Sequence, residues 1–232
     1  MKRIAIILLV VAMTVCCAAG CGKLSDMDTP PEESTPADAV ETTTPADTES
    51  VQVALNPTTM ASSGLVFESN GDGTCRVTDM GSCTDTCLII PDKSPDGDEV
   101  TAIAVGAFAV NTTINAVQIP AGVSEIGEGA FAGCPNLSYI SVTDGNAAYL
   151  DVGGMLYSKD MTTLLCVPAG NKLSSLTITL QVKTVAPRAT EGCKFTKLLF
   201  EGTEQQWKSV TVGASNDPLK ALTPTYMKQS GK

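Results

Sequence analysis

The stretch Val123-Ser-Glu-Ile-Gly-Glu-Gly-Ala-Phe-Ala-Gly-Cys-Pro-Asn-Leu-Ser-Tyr-Ile-Ser-Val142 decides the fold, because its apolar residues also occur one unit earlier in the chain. The earlier unit begins at Val100, and each matching position is shifted by 23 residues, as in Phe108 and Phe131. A fixed period of roughly 20 to 30 residues is typical of solenoids, in which each turn buries its apolar side by stacking on its neighbours. The repeat therefore predicts a stacked coil.

Each unit combines extended and helical pieces. In the better copy, residues 123–126 are short and extended, Glu128–Gly133 predicts a helical turn bounded by glycines, and Leu137–Val142 alternates as a strand does. Allowing insertions, Leu88–Ile90 matches Val117–Ile119 and adds an earlier rung. Residues 176–200 form a further copy, with Thr190 where the other copies have Phe. We therefore predict a repeat solenoid, mainly β with short helical turns.

The array is interrupted once and has a recognisable cap at each end. Residues 143–175 are an insertion that predicts either a hairpin or an enlarged coil. Before the repeats, two strand patterns flank the turn Asn70-Gly-Asp-Gly73, which predicts a hairpin covering the first coil. After them, Thr203-Glu-Gln-Gln206 has the pattern of a capping box, and we expect Trp207 to cover the last coil.

The N-terminus has the pattern of an export signal. Lys2 and Arg3 precede an apolar run, residues 4–15, that is too short to span a bilayer. Ala18-Ala-Gly-Cys21 follows and resembles the bacterial lipobox, with Ala18 where that motif most often has Leu. The resemblance implies a lipid anchor on Cys21 at the outer face of the bacterial cytoplasmic membrane; the alternative is ordinary cleavage and a secreted protein.

A Thr-, Pro- and acid-rich segment, residues 23–59, separates this signal from the repeats. It cannot bury enough apolar surface to offset the entropy of ordering it, so it predicts an extended tether. The formal net charge of the chain is −10. Because nucleic acids and anionic membrane surfaces both attract clustered Lys and Arg, this charge argues against either as a partner.

These residues together resemble the BspA-like leucine-rich repeat of bacterial surface proteins. The unit from Val123 to Ile140 carries the resemblance, with Gly81–Thr86, the Tyr149–Tyr157 insertion and Phe200–Trp207 as frequent companions of that repeat. The resemblance covers about residues 65–219. It implies a leucine-rich-repeat-like right-handed coil with a parallel sheet, display outside a bacterial cell, and a role in adhesion or host-protein binding. It implies no catalytic residues.

The sequence gives little support for catalysis or for cofactor binding. The chain has no His, which removes Ser-His-Asp and Cys-His arrangements and the commonest metal ligand. Acidic loops such as Asp92–Glu99 lack the spacing of a calcium-binding EF-hand, and the chain has no phosphate-binding loop. We therefore predict no cofactor and no enzyme, and a hydrolase that uses two carboxylates is the weakest alternative.

Six cysteines follow Cys21. Cys134 and Cys193 occupy the same place in two repeats, where a small buried side chain is expected. Cys75, Cys83 and Cys87 lie close together in the N-terminal cap, and their spacing leaves open whether two of them form a disulfide.

The middle residue of each strand rung should point outward, because side chains alternate along a strand. Stacked rungs would align these residues in a column, and residues two positions earlier would widen the face. This reasoning predicts a partner-binding face made of Ile89, Gln118, Tyr139, Ser141, Thr177, Lys197 and Leu199.

The sequence thus predicts a surface protein that contacts an unknown protein ligand, with adhesion to host or neighbouring-cell proteins as one role. The alternative is a passive structural envelope lipoprotein without a specific ligand. The predicted segments are a signal peptide (1–20), a tether (21–60), the N-terminal hairpin cap and first rung (61–99), the repeats (100–200, with the insertion at 143–175), a short helical C-terminal cap (201–222) and a tail (223–232).

Overall fold

Fifteen short strands and two short helices follow one another along residues 60–227, the part of the chain that this computed structural model describes. The predicted signal peptide, Cys21 and all of the predicted tether except Met60 lie outside the described residues. The elements are β1 (Val66–Ser69), β2 (Thr74–Asp79), β3 (Cys87–Ile89), β4 (Glu99–Ile103), β5 (Ala116–Ile119), β6 (Glu125–Ile126), β7 (Tyr139–Val142), β8 (Tyr149–Val152), β9 (Met155–Ser158), β10 (Thr163–Cys166), β11 (Ser175–Ile178), β12 (Thr184–Val185), β13 (Lys197–Phe200), α1 (Glu204–Trp207), β14 (Thr211–Val212), α2 (Asp217–Lys220) and β15 (Pro224–Tyr226).

The strands stack as coils, so residues one repeat apart become partners. Val117 in β5 lies opposite Ile140 in β7, and Ala102 in β4 lies opposite Glu125 in β6, each pair being 23 residues apart. The sheet orders are β3-β5-β7, β11-β13-β15, β1-β2-β4-β6 and β14-β12-β10-β9-β8. The result is a mainly-β solenoid of about six turns with few helices, which confirms the predicted fold class.

The apolar repeat positions fill the inside of the coil. Phe108 and Phe131, one period apart, are both buried and stack with their ring centroids 5.5 Å apart. In the later copy the buried Thr190 replaces the aromatic ring and donates from its hydroxyl to Asn216 Oδ1 at 3.0 Å. Phe195 is buried in the same part of the core. A polar pair therefore takes the place of the missing ring.

The tight turn of each repeat places one residue in the left-handed region. Gly106 and Gly129 have φ values of 63°, and the equivalent Arg188 and Ser215 have 60° and 54°. Glycine adopts this conformation without steric cost, whereas the other two residues do not. A Cβ on Gly129 would also lie 3.0 Å from Arg188 Cδ, so a larger residue there would require the Arg188 side chain to shift.

The insertion at 143–175 is both a hairpin and part of the array. Strands β8 and β9 pair antiparallel and β9 pairs antiparallel with β10, but β10 continues in parallel register onto β12. Tyr149 joins the insertion to the preceding coil, because its hydroxyl accepts the Ile126 N–H at 2.9 Å. The Tyr149 hydroxyl thus gives a hydrogen-bond partner to a backbone N–H at the edge of β6, where the parallel strand pairing stops.

Both predicted caps form, and the strand pairing continues past the predicted C-terminal cap. Strands β1 and β2 make the N-terminal hairpin. Helix α1 begins with the predicted capping box at Thr203, and the Trp207 ring packs edge-on against Phe200 with centroids 5.2 Å apart. Within the predicted tail, Pro224–Tyr226 form β15 and pair in parallel with β13. Pro224 and Tyr226 are partly buried and Thr225 is exposed. This alternation is what a strand of the solenoid requires, so these residues can form a last rung.

Candidate protein-interaction surface

The residues of the predicted face lie on two separate sheets. Ile89, Gln118 and Ser141 are direct register partners on β3, β5 and β7. Thr177 and Leu199 are register partners on β11 and β13. No pairing joins β7 to β11 within residues 60–227, because the insertion separates them along the chain. The structure therefore forms two short columns where the sequence predicts one.

Tyr139 and Lys197 are the exposed members of this set, and they occupy equivalent positions on the two sheets. Tyr139 lies opposite Ala116, and Lys197 lies opposite Ser175. Tyr139 is 47% exposed. The outward side chains of β3, β5 and β7 are Cys87, Ile89, Ala116, Gln118, Tyr139 and Ser141, and none of them is charged.

Asp151 of β8 borders this uncharged surface and is the residue that sequence reasoning missed. Its carboxylate accepts the Val142 N–H at 2.8 Å and the Tyr139 hydroxyl at 3.4 Å. Partial burial, and then the nearby Asp151 carboxylate, raise the pKa of Tyr139 above its ordinary value. In the sequence, Asp151 is one of several acidic residues that read as parts of turns. Only the fold brings it beside β7.

Gly154 determines where the Tyr139 ring lies. A Cβ at Gly154 would come within 3.0 Å of Tyr139 Cε2 and nearer still to Cδ2, so glycine allows the ring to rest on the backbone of the insertion. The Ile140 N–H donates to the Gly154 carbonyl at 3.0 Å. These contacts hold one side of the ring and leave the rest of it in solvent.

A concave surface lies on the sheet β1-β2-β4-β6. A polar cleft of about 380 Å³ covers the outer face of β1, β2, β4 and β6. The row Glu68, Arg76, Ala102 and Glu125 crosses it in register. Arg76 Nη2 and Glu68 Oε2 form an ion pair at 2.8 Å. The alternation of β2 and β4 is the sequence signal that could have located this cleft.

Three carboxyl groups within residues 60–227 have a lowered pKa. Those of Asp72, Asp160 and Glu204 have pKa values below the ordinary range, because Thr74, Ser158 and Lys208 respectively donate hydrogen bonds to them. A general acid that works near neutral pH needs the opposite shift. Among the described residues, no group of three or more His, Cys, Asp or Glu side chains is arranged to hold a metal ion.

Cys134 and Cys166 are buried thiols, and Cys193 is a partly buried one. Burial raises the pKa of Cys166 far above its ordinary value and raises the pKa of Cys193 to about 12. Cys134 Sγ donates to the Phe108 carbonyl at 3.0 Å, in keeping with its predicted structural place. In the N-terminal cap, Cys75 and Cys83 are also buried thiols. A raised pKa disfavours the reactive thiolate, so Cys166 and Cys193 are chemically quiet.

Within residues 60–227, neither short helix is long or apolar enough to cross a membrane.

One protein-family model matches a segment of the chain. Residues 89–152 match the model of the BspA type leucine rich repeat region. This segment runs from the end of β3 to the end of β8 and includes the unit on which the sequence resemblance rests. A comparison with curated proteins gives no significant match.

Several solved bacterial structures are similar to this chain. The pneumococcal vaccine antigen PcpA is 24% identical, with a TM-score of 0.44 over 50% of this chain and 27% of its own. A leucine-rich repeat protein from Eubacterium ventriosum is 17% identical, with a TM-score of 0.44 over 61% and 54%. A leucine-rich cell surface protein from Faecalibacterium prausnitzii is 22% identical, with a TM-score of 0.44 over 65% and 41%. The matches thus cover between about a quarter and about half of those proteins.

Proposed function

We propose that this protein is a cell-surface repeat protein that mediates protein–protein contacts through the outward face of its three-stranded parallel sheets. The observation that supports this most is the register of Ile89, Gln118 and Ser141. Register places neighbouring side chains about 4.8 Å apart on a rigid support. An uncharged, ordered surface of this kind can pack against a partner without desolvating charges of its own.

Surface display is part of the same proposal. Residues 89–152 match repeats of the BspA type, and residues 1–21 before them have the sequence pattern that predicts an export signal ending in the lipobox-like Ala18–Cys21. A lipid on Cys21 would hold the protein at the outer face of the membrane, and residues 23–59 would carry the repeats away from it. Adhesion to host or neighbouring-cell proteins is the specific role that we propose for this arrangement.

A binding panel tests the proposal. The full chain is titrated against immobilised host-matrix proteins and bacterial surface proteins, together with the double variant Tyr139→Glu, Ser141→Glu. We expect saturable binding that this variant abolishes, because two new charges would have to be desolvated at the contact. The matched control Thr112→Glu, Thr113→Glu adds the same charge on an exposed loop and should bind normally.

Two outcomes of that panel would count against the proposal. Binding that the double variant leaves unchanged would exclude this face. An absence of saturable binding across a broad panel would favour a passive structural envelope protein without a specific ligand.

The anchor is tested separately by metabolic labelling with radioactive palmitate. We expect Cys21→Ala to lose the label, because the thiol at that position would receive the lipid. Persistent labelling of the variant would remove Cys21 as the attachment site.

A further inference from the structure

Charge is distributed unevenly along the coil. Residues 94–158 contain seven acidic residues and no Lys or Arg, whereas residues 159–227 contain five acidic residues and eight basic ones. The two columns of the predicted face fall on opposite sides of this boundary. Sheet β3-β5-β7 lies before it, and sheet β11-β13-β15, with the exposed Lys197, lies after it. The two sheets therefore lie in parts of the chain whose charged residues differ in sign balance.

At the Tyr139–Asp151 pair, an acidic side chain of β8 lies next to an exposed ring of sheet β3-β5-β7. In residues 60–227 the ion pairs are Arg76–Glu68, Arg188–Glu191 and Lys208–Glu204, so Asp151 has no basic counter-ion there. Its carboxylate is instead oriented by the Val142 N–H and the Tyr139 hydroxyl.

An exposed tyrosine ring beside an oriented carboxylate attracts a cation in two ways. The face of the ring attracts a guanidinium or ammonium group through its quadrupole, and Arg is the more frequent partner. The carboxylate adds a charge-assisted hydrogen bond. Both groups lie at the edge of an uncharged floor that includes Ala116 and Gln118, so the rest of a partner segment meets no competing charge.

We infer that the face of β3-β5-β7 binds a protein segment carrying an arginine or lysine side chain, with the cation held between the Tyr139 ring and the Asp151 carboxylate. This inference rests on the proposed interaction function and specifies its partner. Residues Thr177, Lys197 and Leu199 do not belong to this contact. Asp151 thereby joins the candidate face as a specificity-determining residue.

The test uses the full chain and two capped synthetic peptides. One is Gly-Arg-Gly-Arg-Gly, and the other carries citrulline, which keeps the shape of arginine without its charge. Binding is followed by NMR of the backbone amides. We expect saturable shifts at Val142, Asp151 and Gly154 with the arginine peptide, and affinity for the citrulline peptide lower by about threefold or more.

Variants test the Tyr139 ring and the Asp151 carboxylate one at a time. A further variant distinguishes binding at this site from general attraction to an acidic protein. We expect Asp151→Asn and Tyr139→Leu each to weaken binding about threefold, whereas Tyr139→Phe keeps the ring and most of the affinity. Glu125→Gln removes the same charge from the exposed face of a different sheet and should leave binding unchanged. Asparagine at position 151 keeps an acceptor for the Val142 N–H, so the fold is retained.

Three results would overturn the inference. The first is equal affinity for the citrulline peptide. The second is an equal loss with Glu125→Gln, which would indicate non-specific attraction. The third is a set of shifts confined to sheet β1-β2-β4-β6. If Tyr139→Glu, Ser141→Glu abolishes protein binding in the panel while the two peptides bind equally, the interaction face stands and the cationic partner does not.

Discussion

Asn146 is predicted to hold the insertion onto the repeat array. Its side chain is 1% exposed and makes four hydrogen bonds to backbone groups. Nδ2 donates to the carbonyls of Pro120 at 3.0 Å and Val123 at 2.9 Å, and Oδ1 accepts the N–H groups of Ala148 at 2.9 Å and Tyr149 at 2.8 Å. One side chain thus joins the turn before β6 to the start of β8.

Replacing Asn146 by Ala leaves these four backbone groups without their side-chain partner. A buried polar group that loses its partner costs about 1–3 kcal/mol, and water entering the new space would recover part of that. We therefore expect Asn146→Ala to lower the free energy of unfolding by about 3–5 kcal/mol, which is a large part of the stability of a typical domain.

The assay is urea unfolding of the full chain followed by circular dichroism, with hydrogen exchange at Ala148 and Tyr149 as the local measurement. The matched control is Asn70→Ala in the exposed β1–β2 turn, where Nδ2 makes one hydrogen bond to Thr74 at 2.9 Å. The control should change stability by less than about 0.5 kcal/mol. A loss below about 1 kcal/mol for Asn146→Ala, with exchange at the two amides unchanged, would refute this account.

Three further predictions concern the repeat core. Phe131→Ala should lower the free energy of unfolding by about 3–5 kcal/mol in urea melts, because it opens a cavity beside the stacked ring; a loss under about 1 kcal/mol would contradict the stack. Gly129→Ala should lower the free energy of unfolding by more than Gly71→Ala does. Both glycines have positive φ, but only the Cβ at position 129 would lie against Arg188. Equal losses would show that the Arg188 side chain moves aside without a measurable effect on stability. Because burial raises the pKa of Cys193 from 9.0 to about 12, its contribution to stability is complete below pH 9.0 and is lost as the pH rises toward 12. Unfolding free energies measured across this range should fall, and Cys193→Ala should reduce the slope; an unchanged slope would show that this thiol does not contribute.

The repeat array was predictable because its signal is periodic. Phe108 and Phe131 stand one period apart, and the structure stacks them in neighbouring coils. Thr203 and Gln206 form the predicted capping box because its hydrogen bonds are local and need no distant residue. The rung Pro224–Tyr226 was missed because three residues with weak alternation resemble an irregular end until a neighbouring strand pairs with them.

The sequence predicted which residues of the candidate face are neighbours within one sheet, but not that the face is divided between two sheets. Alternation along a strand identifies Gln118 and Ser141 as outward residues, and the period predicts that they are neighbours. Neither signal reveals that an insertion separates Ser141 from Thr177, or that Asp151 returns to the side of Tyr139.

The sequence by itself determined the coil, because apolar residues at a constant spacing bury their side chains only when successive units stack in register. The tertiary structure alone decided the division of the face into two columns and the pairing of Tyr139 with Asp151. Those features depend on hydrogen bonds such as Asn146 to Val123 and on the close approach of Tyr139 to Gly154, which join residues outside the repeating pattern. Contacts of that kind leave no periodic trace in a sequence.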